Sequence, residues 1–189
     1  MAVARSHVEA KDRLVFSHAI EGMLSRLPPE LLKGPLRESV RAAGLDLDKP
    51  LLPGYPFTTF VAVMRLTAQA AFPELPREQA LYQLGRKLVD GYWETLVGKA
   101  LLAVLKLIGP RRALLRTEKN FRSANNYTEC RLTELGPAEF EMWMNEGEGE
   151  PSYTAGIVAA GLDAAGAHQA QVTMLAKKDG GTVFHVKWG

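Results

Sequence analysis

The chain is poor in cysteine: Cys130 is the only one among its 189 residues. A single cysteine cannot form an intramolecular disulfide, which indicates a reducing compartment or indifference to redox state. Such a residue is usually a small, buried, inert side chain, and a reactive thiol is the alternative. The first residues also lack the apolar run of a signal peptide. We therefore expect a cytoplasmic location.

Long apolar runs are missing as well. The most hydrophobic segment, from Leu96 to Ile108, is too short to span a bilayer and contains Lys99 and Lys106. We expect no membrane-spanning segment.

Motifs for metal, phosphate or nucleophilic chemistry are absent too. None of the four histidines has the spacing of a metal ligand to another histidine or cysteine. No glycine-rich phosphate loop occurs, since Gly147 and Gly149 are flanked by glutamates that would repel phosphate. The acidic loop 146–150 could bind a hard cation, but a solvated loop is the favoured interpretation. We predict no metal site and no cofactor.

Charge is unevenly distributed along the chain. Residues 1–131 carry 20 Lys/Arg against 13 Asp/Glu, whereas residues 132–189 carry 3 against 8. This asymmetry indicates either an anionic partner or two halves that partly neutralise each other. We expect no nucleic-acid partner, because the pI is only about 8.7 and the sequence has no helix-turn-helix or RNA-binding signature.

The first half has the pattern of helices interrupted by proline and glycine. We predict an uneven helix over residues 28–43, with a break at Gly34-Pro35 and a stop at Gly44. After a turn at 51–56, a second helix runs to Phe72-Pro73. Its buried stripe has helical spacing and comprises Phe57, Phe60, Val61, Met64, Ala68 and Ala71.

Two further helices follow. Pro76 opens one whose apolar stripe is Ala80, Leu81, Leu84 and Leu88. The segment from Leu96 to Ile108 is apolar almost all round, which predicts a central and largely buried helix. Gly109-Pro110 should end it.

The second half changes to a period of two. Residues 126–135 and 139–145 predict a hairpin with its turn at Gly136-Pro137. Pro151 begins a helix of small residues that ends near Gly166 and could approach a sheet closely. Residues 169–177 and 182–188 predict a second hairpin around residues 179–181.

The fold class that follows is α+β, with an N-terminal helical bundle packed on a four-stranded antiparallel sheet of order β-β-α-β-β. We predict one domain over 1–189. Within it, residues 1–12 form a flexible extension, 13–118 are mainly helical, and 119–189 contain the β-β-α-β-β unit.

The junction between the two halves, residues 116–131, groups basic residues, three asparagines, two aromatics and Cys130. The asparagines are typical of turns, because Asn tolerates left-handed backbone and caps turns. On a strand beginning at Asn126, a period of two would place Tyr127, Glu129 and Arg131 on one face. With Arg116 and Arg122 on the preceding loop, these residues could bind an anion.

Several segments together resemble an uncharacterised paralogous family that is greatly expanded in myxobacteria. They are the Phe16-to-Glu21 opening, Phe57-Thr-Thr-Phe60, Gly85-Arg86 with Gly91-Tyr92, the 120–127 segment, and Phe184-His-Val-Lys-Trp188. The resemblance covers nearly the whole chain. It implies a domain of unknown function of about this size, and it supplies no catalytic residue.

More remotely, the element order is similar to the haem-nitric-oxide-binding fold, the four-vinyl-reductase-like sensors and the acyl-binding trafficking-complex subunits. Haem-binding members carry Tyr-x-Ser-x-Arg, which clamps the haem propionates, and a proximal histidine upstream. Here the matching run is Tyr127-Thr-Glu129-Cys-Arg131, with Glu129 in place of serine, and no histidine lies between His18 and His168. The resemblance therefore implies an anion-facing geometry without haem.

We interpret the chain as a non-enzymatic cytosolic module for small-molecule binding or signalling. An apolar pocket would lie between helices and sheet, and a basic mouth with Tyr127, Arg131, Arg122 and Arg116 would hold an acidic head group. The pocket would be lined by Phe57, Phe60, Met64, Leu101 and Leu105. The alternatives are a protein-interaction domain that forms a homodimer, and an enzyme that uses Cys130 or Glu129.

Overall fold

The computed structural model describes residues 8–145 and 149–189, and within those ranges it contains seven α-helices and six β-strands. The helices are α1 (Ser17–Ser25), α2 (Pro35–Ala42), α3 (Phe57–Ala71), α4 (Arg77–Tyr92), α5 (Leu96–Leu115), α6 (Thr117–Arg122) and α7 (Pro151–Ala164). The strands are β1 (Leu14–Phe16), β2 (Gly54–Pro56), β3 (Cys130–Gly136), β4 (Glu139–Met144), β5 (Gln171–Lys178) and β6 (Gly181–Lys187).

The C-terminal half forms a four-stranded antiparallel sheet with strand order β3-β4-β6-β5. Phe140, Met142 and Met144 alternate along β4 and are buried on its inner face, as a strand with one solvated face requires. The β5–β6 turn places Asp179 and Gly180 at positive φ, the conformation that the Asp-Gly-Gly sequence favours. The α+β class and the β-β-α-β-β order are confirmed.

Helix α7 covers the inner face of this sheet. Its Ala159 and Leu162 pack with Phe140 and Phe184 in a core in which all four side chains are at most 2% exposed. A second core lies among α1 to α4 and includes Met23, Val40, Leu81 and Leu84. The two layers meet where α4 contacts α7.

Helix α4 touches its neighbours backbone to backbone. A Cβ atom placed on Gly85 would collide with the Tyr153 carbonyl oxygen of α7, and one on Gly156 would collide with the Tyr82 carbonyl oxygen of α4. On the other side, a Cβ on Gly91 would collide with the Gly22 carbonyl oxygen of α1. We expected the small residues of α7 to bring it close to a sheet, but their tightest contact is with a helix.

Several predicted boundaries differ from the structure. Residues 28–34 form turns rather than helix, and α2 begins only at Pro35, which occupies its first turn. The predicted strand from Asn126 begins at Cys130, because residues 126–129 are held in a turn described below. The two-stranded sheet of β1 and β2 was not predicted.

The largest error concerns the segment from Leu96 to Ile108. It is helical, but it lies at the periphery: Leu96 is 88% exposed and Leu107 is 87% exposed, whereas Leu105 is buried. Gly109 interrupts α5 with a positive φ of 75°, so the predicted stop is a kink after which the chain resumes a helix to Leu115. Apolar composition alone did not distinguish burial from exposure.

The division into one domain stays a prediction. Of the predicted flexible extension, residues 1–7 lie outside the described residues, and Ala10–Asp12 form a short 3-10 helix. The described part of the chain has no helix that is both long enough and apolar enough to cross a membrane.

The α4–α7 contact predicts opposite effects for two glycines of the same helix. Gly156→Ala should lower the free energy of unfolding by about 1–3 kcal/mol, because its methyl group meets backbone that cannot move aside. Gly161→Ala is the matched control: nothing lies within 4 Å of its Cβ, so alanine should raise stability by about 0.5–1 kcal/mol. Urea unfolding measures both variants, and equal effects would contradict the close contact.

Candidate functional site

A cavity of about 170 Å³ lies between the helical layer and the sheet. Its lining is mostly apolar. The residues come mainly from α3, α4, α5, α7, the junction before β3 and the end of β4, and they include Phe57, Phe60, Met64, Leu88, Tyr92, Leu101, Leu105, Ala113, Tyr127, Met144, Tyr153 and Ile157. An apolar cavity of about 150 Å³ is large enough for benzene or xenon. This cavity therefore suits a molecule of one small ring.

All five apolar residues expected in a pocket line this cavity. On α3, helical spacing turns Phe57, Phe60 and Met64 to the same side. On α5, Leu101 and Leu105 are one turn apart and form the inner face of an otherwise exposed helix. The side chain of Thr95 caps this helix by accepting a hydrogen bond from the Gly98 N–H at 2.9 Å.

Tyr127 is buried and lines the same cavity. Its ring lies 5.0 Å from the Phe57 ring, and the Arg13 guanidinium lies 5.5 Å from the Tyr127 ring centroid. A turn directs it inward: the backbone N–H groups of Tyr127 and Thr128 donate to Asn125 Oδ1 at 3.1 and 2.9 Å. Asn125 thus has the turn-forming role that its sequence context indicates.

Asn145, at the end of β4, fastens this turn to the sheet. Its Oδ1 accepts from the Glu129 N–H at 2.7 Å, and its Nδ2 donates to the Tyr127 carbonyl at 2.9 Å. Asn145 is only 5% exposed, so losing its amide would leave buried backbone groups without partners. Its role was not predicted, because in the sequence a lone Asn after a strand is indistinguishable from a turn residue.

The predicted mouth arginines do not lie at this cavity. Arg131 is on the outer face of the sheet, where its guanidinium lies 3.7 Å from the ring centroid of Trp143. It shares a shallow groove with Arg13, Glu129 and Asp179. The expectation that Tyr127 and Arg131 share a strand face is wrong, because the turn at Asn125 breaks the period of two before β3 begins.

Arg116 and Arg122 lie in a third place, a cleft beside α6 that also contains Lys119 and Cys130. Arg122 Nε donates to the Thr128 carbonyl at 2.7 Å, so it braces the same turn from outside. Burial raises the pKa of Cys130 from an ordinary 9.0 to about 12. The thiol is therefore protonated at neutral pH and is a poor nucleophile.

The rim of the cavity includes Glu150, a member of the acidic loop that the sequence analysis considered for a cation. Both Arg65 and Arg77 donate to its carboxylate, so its charge is compensated within the protein. The glutamates at 146 and 148 lie outside the described residues. Among the residues that the structure describes, no group of three His, Cys, Asp or Glu side chains could hold a metal ion.

Tyr153 is another polar residue of the lining that was not predicted from the sequence. It is 4% exposed, and its hydroxyl has no hydrogen-bond partner among the described residues. Burial raises its pKa well above the usual value, and the neighbouring Tyr127 adds to the effect. A signal was available: Tyr153 is the only aromatic residue of α7, a helix otherwise made of small and aliphatic residues. A buried hydroxyl without a partner is destabilising by about 1–3 kcal/mol.

The sequence matches a family described as protein of unknown function (DUF2378) over residues 13–189. The chain belongs to this family. No curated protein has a significant match to the sequence. Membership of DUF2378 confirms the resemblance to an uncharacterised family and assigns no activity.

Solved structures similar to this DUF2378 member are H-NOX proteins. A point mutant of the unliganded Fe(II) H-NOX protein from K. algicida has a TM-score of 0.63 at 13% identity, with 92% of this chain and 96% of that chain covered. The H-NOX protein from K. algicida without that mutation gives 0.61 at 14%, with 91% and 95% covered. An oxygen-binding H-NOX domain related to soluble guanylate cyclases gives 0.55 at 14%, with 90% and 91% covered. At these identities the similarity establishes a shared fold.

The residues around the cavity do not fit the haem that this fold implies. Haem iron is held by His, Cys, Met or Tyr, and the described lining contains no His or Cys. Its volume of about 170 Å³ suits one small ring, whereas a porphyrin contains four pyrrole rings. Arg131, which matches the arginine that clamps haem propionates in the haem-binding relatives, lies outside the cavity. Met64, Met144, Tyr127 and Tyr153 could approach a metal, but burial keeps Tyr153 protonated.

The raised pKa of Cys130 predicts that the protein loses stability at alkaline pH. The unfolded thiol releases its proton near pH 9 and the folded thiol only near pH 12, so the folded state is favoured below pH 9 and loses that advantage as the pH rises. The loss should approach about 1.4 kcal/mol per pH unit above pH 9. Urea unfolding from pH 8 to pH 10 measures it. Cys130→Ala should flatten the slope, and an unchanged slope would contradict the burial effect.

The lining also predicts the outcome of mixing the protein with hemin. We expect no saturable one-to-one complex with the absorption spectrum of ligated haem, because the cavity is too small and the part of its lining that the structure describes contains no His or Cys. Absorption titration of the purified protein measures this. A sharp Soret band that saturates at equal concentrations would refute the argument from size and ligands.

Proposed function

We propose that this chain is a non-enzymatic, cytosolic binding or signalling module for a small apolar molecule that carries one hydrogen-bond acceptor. The observation that supports this most directly is an apolar cavity whose lining includes a buried hydroxyl, that of Tyr153, without a hydrogen-bond partner among the described residues. An acceptor atom on the ligand would satisfy that hydroxyl. The fold shared with an oxygen-binding H-NOX domain supports small-molecule binding as the class of function.

The ligand in this proposal is neutral rather than acidic. Arg116, Arg122 and Arg131 face other clefts, and the carboxylate of Glu150 at the rim is already paired with two arginines. A carboxylate ligand would therefore be buried with no Lys or Arg in the described lining to compensate its charge, which is unfavourable. A carbonyl, ether or ring nitrogen would satisfy Tyr153 without that penalty.

The non-enzymatic part of the proposal is supported by where the candidate nucleophiles lie. Cys130 is in the cleft beside α6 with a raised pKa, and Glu129 is in the outer groove. Neither lines the apolar cavity. The cytoplasmic location and the homodimer both stay predictions, and light scattering at high protein concentration tests the homodimer.

Benzene tests the cavity. Wild-type protein should bind it, with saturable perturbation of methyl resonances from Leu101, Leu105 and Met64 in NMR titrations. Ala113→Leu places a larger side chain at the cavity wall and should weaken binding at least tenfold. Ala42→Leu adds the same carbons on the exposed end of α2 and should leave binding unchanged. Equal binding to both variants would contradict the site.

Pyridine tests the acceptor. It has the size of benzene and one ring nitrogen that can accept a hydrogen bond from the Tyr153 hydroxyl. Tyr153→Phe should weaken pyridine binding about fivefold, the value of one hydrogen bond of about 1 kcal/mol, and leave benzene binding unchanged. If the two ligands lose affinity equally, Tyr153 serves packing and the acceptor part of the proposal fails while the cavity part stands.

A further inference from the structure

The outer face of α5 carries an apolar stripe that packs on nothing in the described structure. Leu96, Ala100, Ala103 and Leu107 follow one another at intervals of four, three and four residues, which places them on one side of the helix. All four are exposed, and the two leucines at the ends are 88% and 87% exposed. We call these four residues the α5 stripe.

The α5 stripe is exposed on a helix whose opposite face is packed against the protein. On the opposite face Leu105 is 3% exposed and packs with Leu101, Trp93 and Ile108. The side chain of Thr95 caps the N-terminus. The stripe is therefore presented outward on a fixed backbone, and it lines none of the clefts described above.

The charges around the stripe have one sign. Lys99 and Lys106 are seven residues apart, so they lie along the same edge of the stripe, and both are exposed. No acidic residue occurs between Glu94 and Glu118. Further along α5, Arg111 is paired with Glu134, whereas Arg112 adds another exposed cation. The face is both apolar and uniformly basic.

This charge pattern selects the partner. If two copies paired through the stripe, they would bring lysines to the interface without an acidic residue on α5 to pair them, and the alanines at its centre would bury little apolar area. An anionic lipid surface matches both properties. Its acyl region accepts leucine side chains, and its headgroups attract lysines whose stems lie along the apolar boundary.

We propose that the α5 stripe docks on the surface of a bilayer that contains anionic lipids. Leu96 and Leu107 enter the boundary between headgroups and acyl chains, while Lys99 and Lys106 contact lipid phosphates. Docking is peripheral and reversible, because only two large side chains are inserted. It does not depend on whether the cavity binds a ligand.

Vesicle co-sedimentation tests the proposal, with vesicles of phosphatidylcholine alone and vesicles in which part of it is replaced by phosphatidylglycerol. Wild-type protein should sediment with the second kind, and added salt should release it. Leu96→Ser with Leu107→Ser should weaken binding at least tenfold. The control changes two exposed leucines elsewhere, Leu52→Ser with Leu175→Ser, and should have no effect.

A second pair of variants separates local charge from net charge. Lys99→Gln with Lys106→Gln should weaken binding about fivefold for each lysine removed. Lys177→Gln with Lys178→Gln removes the same net charge from the exposed strand β5 and should leave binding unchanged. Circular dichroism and urea unfolding establish that all variants are folded.

Three outcomes would overturn the proposal. The first is that the wild-type protein does not sediment with anionic vesicles. The second is that the control variants weaken binding as much as the stripe variants do. The third is a wild-type dimer in light scattering that Leu96→Ser with Leu107→Ser dissolves, because that would assign the stripe to a second copy of the chain.

Discussion

The structure depends on the close approach of α4 to its two neighbours. Gly85 and Gly156 let α4 and α7 meet without a layer of side chains between them, and Gly91 does the same toward α1. Because α7 also covers the sheet, this contact fixes the distance between the helical layer and the sheet layer. The cavity occupies the space left beside that contact, where α3 and α5 carry larger side chains.

The basic junction between the two halves has a different role from the one its composition indicates. Two of its residues, Asn125 and Arg122, form hydrogen bonds with backbone groups, and together with Asn145 at the end of β4 they hold the turn that directs Tyr127 inward. Hydrogen bonds of this kind do not depend on the net charge of the segment. They fix the position of the Tyr127 ring and do not form an anion-binding site. The cavity therefore has an apolar wall at the place where a charged mouth was expected.

Much of the architecture could be predicted from residue spacing, because buried faces impose a period. The bounds of α3, the inward residues of β4 and the Asp-Gly turn between β5 and β6 all have such a local signal. The apolar lining of the cavity could be predicted for the same reason, since Phe57, Phe60 and Met64 share a helix face.

Other features depend on contacts between distant residues. Strands of three residues such as β1 and β2 are too short for a period to be recognised. Apolar residues all round α5 indicated burial, yet only tertiary packing decides which face is covered. Arg131 was misplaced because one turn at Asn125 removes the continuity on which a strand pattern relies.

Helix α5 separates the cavity from the outer surface with a single layer of residues. Leu101 and Leu105 face inward, Leu96 and Leu107 face outward, and Gly109 interrupts the helix at its far end. The two faces therefore share one helix, and they are coupled only if a ligand on one face changes the position or mobility of α5. If a ligand in the cavity stabilises this helix and thereby strengthens its binding to an outer surface, binding to that surface strengthens the binding of the ligand by the same factor.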